Sequence, residues 1–257
     1  MLKKLLFITL SLTIIVSCGG NRPKKDLSAE ERMKYAMKEF EDGDYLDAKT
    51  EFRIIVLNFP GHNIVDKAQY YLAECHFELK EYILAIAEYE KLTRMFPNSS
   101  YVDDAMYKVG LANFKLSPKY SLDQTYTLQA IEKLQRFMEE YPQSDYMDEA
   151  TEIMNRCREK LAKKEYKNGE LYRKLAYYDA AILYFESVVN NYYDTDFAKE
   201  AQYWLGYCLK KDSEYDRARE EYRRYLQKYP EGKRVMAVKN SLQEIAEIQS
   251  NNDDKEN

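Results

Sequence analysis

The stretch YILAIAEYEKLTRMFPNSSY, Tyr82 to Tyr101, decides the fold because its pattern returns along most of the chain. Ala85, Tyr89 and Leu92 stand at i, i+4 and i+7, followed by the pair Phe96-Pro97, then Ser99 and Tyr101. Thirty-seven residues earlier stand Ala48, Phe52, Ile55 and Phe59-Pro60; forty-five later stand Ala130, Leu134, Phe137 and Tyr141-Pro142, then Ser144 and Tyr146. Fifty-one further on come Ala181, Phe185, Val188, Tyr192, Thr195 and Phe197, and another 37 brings Ala218, Tyr222, Tyr225 and Tyr229-Pro230. The chain is a five-fold repeat.

Residues at i, i+4 and i+7 share one helix face, and the aromatic-proline pair ends that helix because proline cannot continue it. The Ser or Thr that follows is expected to cap the next helix. Between these helices runs a second series with the same spacing: Ala68-Leu72-Cys75, Ala105-Val109-Ala112, Ala150-Met154-Cys157 and Ala201-Leu205-Cys208. Every unit is therefore a helix pair. Units this short cannot bury their apolar faces alone, so the spacing predicts an all-α solenoid of about five stacked pairs whose inner surface binds other chains.

Composition agrees. Eight Gly and six Pro in 257 residues leave little punctuation for strands and turns. Charged residues make up 32 %, interspersed, with a net charge of −5, and there is no basic stripe of the kind that tracks a phosphate backbone, which argues against nucleic acid as a partner. The 25 Tyr fall mostly at repeat positions such as Tyr82, Tyr89, Tyr101 and Tyr222, where packing between helices explains them; the remainder could furnish an aromatic inner groove.

The chain opens with Lys3-Lys4, an apolar run from Leu5 to Val16, and Ser17-Cys18-Gly19-Gly20. The run is shorter than the roughly 20 residues that span a bilayer, so residues 1–17 read as a cleaved signal peptide. Ile15-Val16-Ser17-Cys18 resembles the bacterial lipobox, with Ile15 in place of the usual Leu. That resemblance implies lipid attachment at Cys18, which becomes the mature N-terminus; several acyl chains, at about 0.8 kcal/mol per buried CH₂, hold a protein stably on a membrane. Cleavage removes Lys3 and Lys4 and lowers the formal charge by two. Gly19 is not the Asp that retains enterobacterial lipoproteins in the inner membrane, so the expected destination is the periplasmic face of the outer membrane. Residues 18–27 complete a polar tether.

Ser28 to Glu31 has capping-box spacing at the start of a first helix reaching about Asp42. In that helix Glu31, Tyr35 and Lys38 occupy the positions that carry Ala, Leu and Cys elsewhere, as suits an edge unit with nothing stacked before it. Two irregularities interrupt the 37-residue step. One is a loop around Ser117-Pro118-Lys119-Tyr120-Ser121 inside the third unit. The other is an insertion of about fourteen residues without Pro, which predicts one helix from about Asp145 past Arg173, with Gly169 its weak point at about 1 kcal/mol. Residues 28–140 and 141–248 are the two halves so joined; Val235 to Ile248 reads as a capping helix and 249–257 as a disordered tail.

Nothing in the sequence reads as catalytic, metal-binding or cofactor-binding machinery. Cys75, Cys157 and Cys208 share one repeat position, where the other unit has Ala112, so they read as small buried side chains; there is no CxxC. His62 and His76 have no HxxxH spacing, and neither a Gly-rich phosphate loop nor a nucleophile elbow is present.

Leu72-Ala73, Val109-Gly110 and Leu205-Gly206 fall where tetratricopeptide repeats carry Leu-Gly, and Ala85, Tyr89 and Pro97 fall at their Ala, aromatic and Pro positions. The turns FPNSSY and YPQSDY resemble those of bacterial periplasmic repeat proteins. With the lipobox, the interrupted third unit and the stretch REKLAKKEYKNGELYRKLAYYDAAILYFESVV, residues 18–230 resemble the BamD family, lipoproteins of the outer-membrane β-barrel assembly machinery. The resemblance implies a non-enzymatic scaffold without cofactor. Its C-terminal units would dock on the periplasmic domains of a BamA-type barrel insertase beside other assembly lipoproteins. Its N-terminal units would engage unfolded outer-membrane proteins. A secretin pilotin or an envelope-division coordinator would share the repeats and the lipobox without the two irregularities; a helical envelope hydrolase would need a catalytic constellation that the sequence lacks.

Overall fold

The computed structural model describes residues 27–256, with side chains described to residue 251. Eleven helices and no strand are found among these residues. The first helices of the five pairs are α1 (Ala29–Glu41), α3 (Val65–Glu78), α5 (Val102–Leu116), α7 (Met147–Lys174) and α9 (Asp196–Lys211). Their second helices are α2 (Tyr45–Asn58), α4 (Tyr82–Met95), α6 (Thr125–Glu140), α8 (Tyr178–Asn191) and α10 (Tyr215–Lys228), and α11 (Val235–Glu256) closes the stack. Each helix packs on its neighbours in sequence, so the fold is a tetratricopeptide-type solenoid with a terminal helix. At the joint α7 also touches both α5 and α9, with no comparable contact between second helices, which puts the first helices on the inner side of the curve.

The capping box is present: Ser28 Oγ accepts from the Glu31 amide at 3.3 Å and Glu31 Oε2 accepts from the Ser28 amide at 3.0 Å. Between first and second helices, Gly43, Lys80, Ala176 and Ser213 occupy one turn position with positive φ (84°, 60°, 61° and 64°). Each closes its helix in the same way. The Lys80 amide donates to Phe77 and the Glu81 amide to His76; in the fourth unit the Ala176 amide donates to Arg173 and that of Tyr177 to Tyr172. The third unit instead has its longer loop, 117–124.

The repeat triads form the core. Ala48-Phe52-Ile55, Ala85-Tyr89-Leu92, Ala130-Leu134-Phe137, Ala181-Phe185-Val188 and Ala218-Tyr222-Tyr225 are all fully buried. First helices bury two faces: Ala68, Leu72 and Cys75 of α3 pack on α2 of the preceding unit, while Tyr70 and Ala73 pack toward α4 of their own. In α1 the face matching Ala68-Leu72-Cys75 is Glu31, Tyr35 and Lys38, and Glu31 and Lys38 are exposed, with no earlier helix among the described residues to pack on them.

Four details differ from the sequence reading. Ser99 and Ser144 do not cap helices; they lie in the turns ahead of α5 and α7 and donate to Asp66 Oδ2 (2.7 Å) and Asp103 Oδ2 (3.3 Å), tying each turn to the first helix of the preceding unit. In α7 Ile153 is buried with Ala150 and Cys157, whereas Met154 is only partly covered. Gly169 is no weak point in α7, since a Cβ there would lie 2.9 Å from Phe185 Cε1, and the missing side chain is what lets α8 approach. Helix α11 continues to Glu256, past the end at Ile248, because no Pro or Gly stops it.

Helix α7 shifts the stack. Its Ala150 and Cys157 pack with Leu134 and Phe137 of α6, whereas its Tyr166 packs with Phe185 of α8. Relative to α5, where the equivalent residues are Ala105, Ala112 and Tyr107, the second face lies fourteen residues further on. At 1.5 Å per residue the C-terminal units are displaced along α7 by about 21 Å. The loop 117–124 lies along the flank this opens: Lys160 Nζ donates to Ser117 Oγ at 2.6 Å, Lys164 Nζ to the Leu122 carbonyl at 2.9 Å, and Lys163 Nζ sits 4.9 Å from the Tyr120 ring centre. Elsewhere on α7, Arg158 holds Asp194 at 2.5 and 2.9 Å. The two sequence irregularities are parts of one joint.

Two stability measurements test this packing. Gly206→Ala would place a Cβ 2.6 Å from Cε1 of the fully buried Tyr222 ring, so urea unfolding should show a loss of about 1–3 kcal/mol. Ala176→Gly relieves an exposed left-handed residue and should instead stabilise by about 0.5–1 kcal/mol.

Candidate functional site

Cys18 lies outside the described residues. Cys75, Cys157 and Cys208 sit in three different helices as free, fully buried thiols. Burial pushes Cys75 and Cys208 up to about 12 and Cys157 to about 11, which keeps them protonated and unreactive near neutral pH. His76 is buried with Nδ1 2.6 Å from Glu81 Oε2, and His62 Nε2 lies 3.0 Å from Glu30 Oε1; both have local structural partners. Among the described residues no three His, Cys, Asp or Glu side chains converge as metal ligands, and no helix is long and apolar enough to cross a membrane.

The inner aromatic rings are engaged in packing rather than left open. Tyr70 stacks on Tyr101 (4.8 Å, 21°) and Tyr107 on Tyr146 (4.4 Å, 6°), each pairing a first-helix ring with the turn that follows its unit. Tyr166 with Phe197 (5.4 Å) repeats the arrangement, and at Tyr203 the partner is the Arg234 guanidinium (4.8 Å). Tyr89 is fully buried and its hydroxyl donates to Glu74; burial, with that carboxylate beside it, holds the phenol well above its ordinary range. Such pairs add about 0.5–1.5 kcal/mol beyond area burial. A tyrosine-lined inner groove is therefore mostly closed by the solenoid's own stacking.

Large apolar side chains are exposed on both halves, with Leu171, Leu175, Tyr177 and Leu183 around the α7–α8 turn, but on the second helices of the N-terminal half they fall in register. Leu46, Ile83 and Leu128 occupy one repeat position, two residues before the buried Ala of each triad, and are 62 %, 60 % and 55 % exposed. The same position in the last two units holds Asp179 and Asp216. Leu84 extends this stripe, and exposed apolar residues aligned in this way mark a contact surface. The contrast between units is written in the sequence, but it falls on the solvent side of the helices, away from the buried anchors that define the repeat.

Beside the stripe a groove runs between α4 and α6 with α5 as its floor. One end, of about 260 Å³, is lined by Ile83, Ile86, Asn113 and Tyr126; the other, of about 500 Å³, by Thr93, Arg94, Val102, Met106, Arg136 and Tyr141. Glu90 and Lys133 line both ends and pair across the groove at 3.2 Å. Arg136 is held by Glu140 at 2.6 Å. An apolar floor rimmed by amide, hydroxyl and guanidinium groups suits a polypeptide segment better than a small polar molecule.

Comparison with known proteins finds tetratricopeptide repeats. Similar solved structures include a tetratricopeptide repeat protein from Parabacteroides merdae, 13 % identical over 86 % of this chain and 73 % of that one at a TM-score of 0.37. Another is the TPR2AB domain of yeast Sti1 in its pHSP90 complex, 14 % identical over 86 % of both chains at a TM-score of 0.47. No curated protein matches in sequence. A tetratricopeptide-repeat profile matches residues 200–232. The profile of the YfiO family, described as outer membrane lipoprotein, matches residues 25–202. With more than half of its length matched in this way, the chain belongs to the YfiO family of outer membrane lipoproteins.

Proposed function

We propose that this lipoprotein is a scaffold of the machinery that assembles β-barrel proteins in the outer membrane. The observation that carries the reading is the outer membrane lipoprotein match over residues 25–202, on a solenoid whose halves carry apolar and acidic residues at one exposed repeat position. In this reading Cys18 is acylated and holds the chain on the periplasmic face of the outer membrane, within reach of an eight-residue tether before Leu27. The N-terminal half, 28–140, receives unfolded outer-membrane proteins, whose strands alternate apolar and polar residues. The stripe of Leu46, Ile83 and Leu128 would take the apolar side chains, while Asn113, Thr93 and the groove's cations offer hydrogen bonds to backbone or carboxylate groups. The C-terminal half, 141–248, docks on the periplasmic domains of a BamA-type barrel insertase, with other assembly lipoproteins as further partners. The loop and α7 fix the two halves relative to each other, so that a client held by one stands at a set place before the insertase held by the other.

A photoreactive amino acid at position 128 is expected to capture outer-membrane barrel precursors in cells, and one at position 227 on α10 a barrel insertase. Leu128→Asp should lower precursor capture from a probe at position 83 several-fold with no change in Tm, since the side chain is exposed. Capture of a secretin, a pilus component or a cell-wall synthase in their place would overturn the assembly reading.

A further inference from the structure

We infer that Arg173, Trp204 and Arg234 form a carboxylate-binding site on the inner face of the C-terminal half, taking an Asp or Glu side chain of a protein partner. Arg173, in the last turn of α7, lays its guanidinium 3.8 Å from the centre of the Trp204 indole on α9. Its Nε is buried without a hydrogen-bond partner, and among the described residues no carboxylate pairs with it. The nearby acids are committed elsewhere: Glu170 to Lys167 (2.8 Å) and Lys174 (3.8 Å), Glu200 to Arg234 (3.2 Å). Arg234 approaches the same indole at 5.2 Å. Two guanidinium groups thus lie against one ring, and of the two Arg234 has a carboxylate partner, on a chain whose net charge is −5.

An arginine held flat against an aromatic face leaves its terminal Nη donors available even where Nε is covered, and the Nη pair matches a carboxylate with two parallel hydrogen bonds. Stacking on Trp204 fixes the fork in advance, which lowers the ordering cost of binding. Partly exposed Trp204 and Tyr207 beside it supply apolar contact area around the ion pair, the composition found at the centre of protein interfaces. The acidic surface elsewhere on the chain would repel such a partner, so the site also sets where an acidic segment can land. This inference rests on the reading that the C-terminal half docks a protein partner and names the chemistry of one contact in it.

Trp204 is the chain's one tryptophan, so its emission reports the site without a label. Titration of the full lipidated protein in detergent with hexaglutamate at low salt should change that emission saturably, and hexalysine should not. Arg173→Gln should weaken the hexaglutamate response about tenfold or more, the effect of losing a charge-assisted pair, and Arg173→Lys should restore only part of it. Circular dichroism checks that both variants are folded, and Arg234→Gln gives a second route to the same loss. An unchanged emission, an equal response in Arg173→Gln, or saturation by inorganic phosphate at the same concentration would overturn the carboxylate site. In cells, Arg173→Gln should lower insertase capture from position 227 with precursor capture from position 128 unchanged. Unaltered capture at 227 would overturn this contact and leave the docking reading standing.

Discussion

One constraint orders the whole chain: each helix pair closes only where a small residue on the first helix meets a large side chain on the second. Ala36 and Phe52 share a core, as do Ala73 and Tyr89. The remaining three pairs use glycine, Gly110 against Leu134, Gly169 against Phe185 and Gly206 against Tyr222, at distances that leave no room for a Cβ. Protein interiors are packed too densely for such a contact to slip by a residue. The position of the small residue therefore sets the height at which the next helix docks.

In α7 that residue comes fourteen positions later than regular spacing would put it, and the long helix follows from this. Its first part must still bury Ala150 and Cys157 on α6, its last part must receive Phe185, and no Pro intervenes to divide it. The displaced units leave a flank of α7 uncovered, and the loop 117–124 occupies it through Lys160 and Lys164. The halves so separated differ at one exposed repeat position, with Leu46, Ile83 and Leu128 on one and Asp179 and Asp216 on the other. The proposed reading, with one kind of partner on each half, uses this division and the fixed spacing between them.

Most of the fold could be read from the sequence because the buried anchors recur: the triads, the capping box, the loop and the long helix all follow from spacing. The turn serines could not be placed, since a hydroxyl near a helix start has two uses, capping the helix or reaching across, and only the approach of Asp66 and Asp103 decides. Gly169 was misleading for the same reason: local propensity counts it a weakness, and Phe185, sixteen residues away, makes it a requirement. The surfaces were harder still. Tyrosine abundance points to an open groove, yet Tyr70 and Tyr107 are covered by Tyr101 and Tyr146 from the following turn. The Arg173–Trp204 contact joins residues 31 apart with no motif between them.

The continuity of α7 is what joins the halves, and amide hydrogen exchange tests it most directly. If one unbroken helix spans the joint, the amides from Arg158 to Leu171 should exchange as slowly as those in the middle of α5, including the two or three around Gly169. Fast exchange at Asn168 and Gly169, with slow exchange on both sides, would mean two helices meeting at a hinge and would contradict a fixed spacing between the halves.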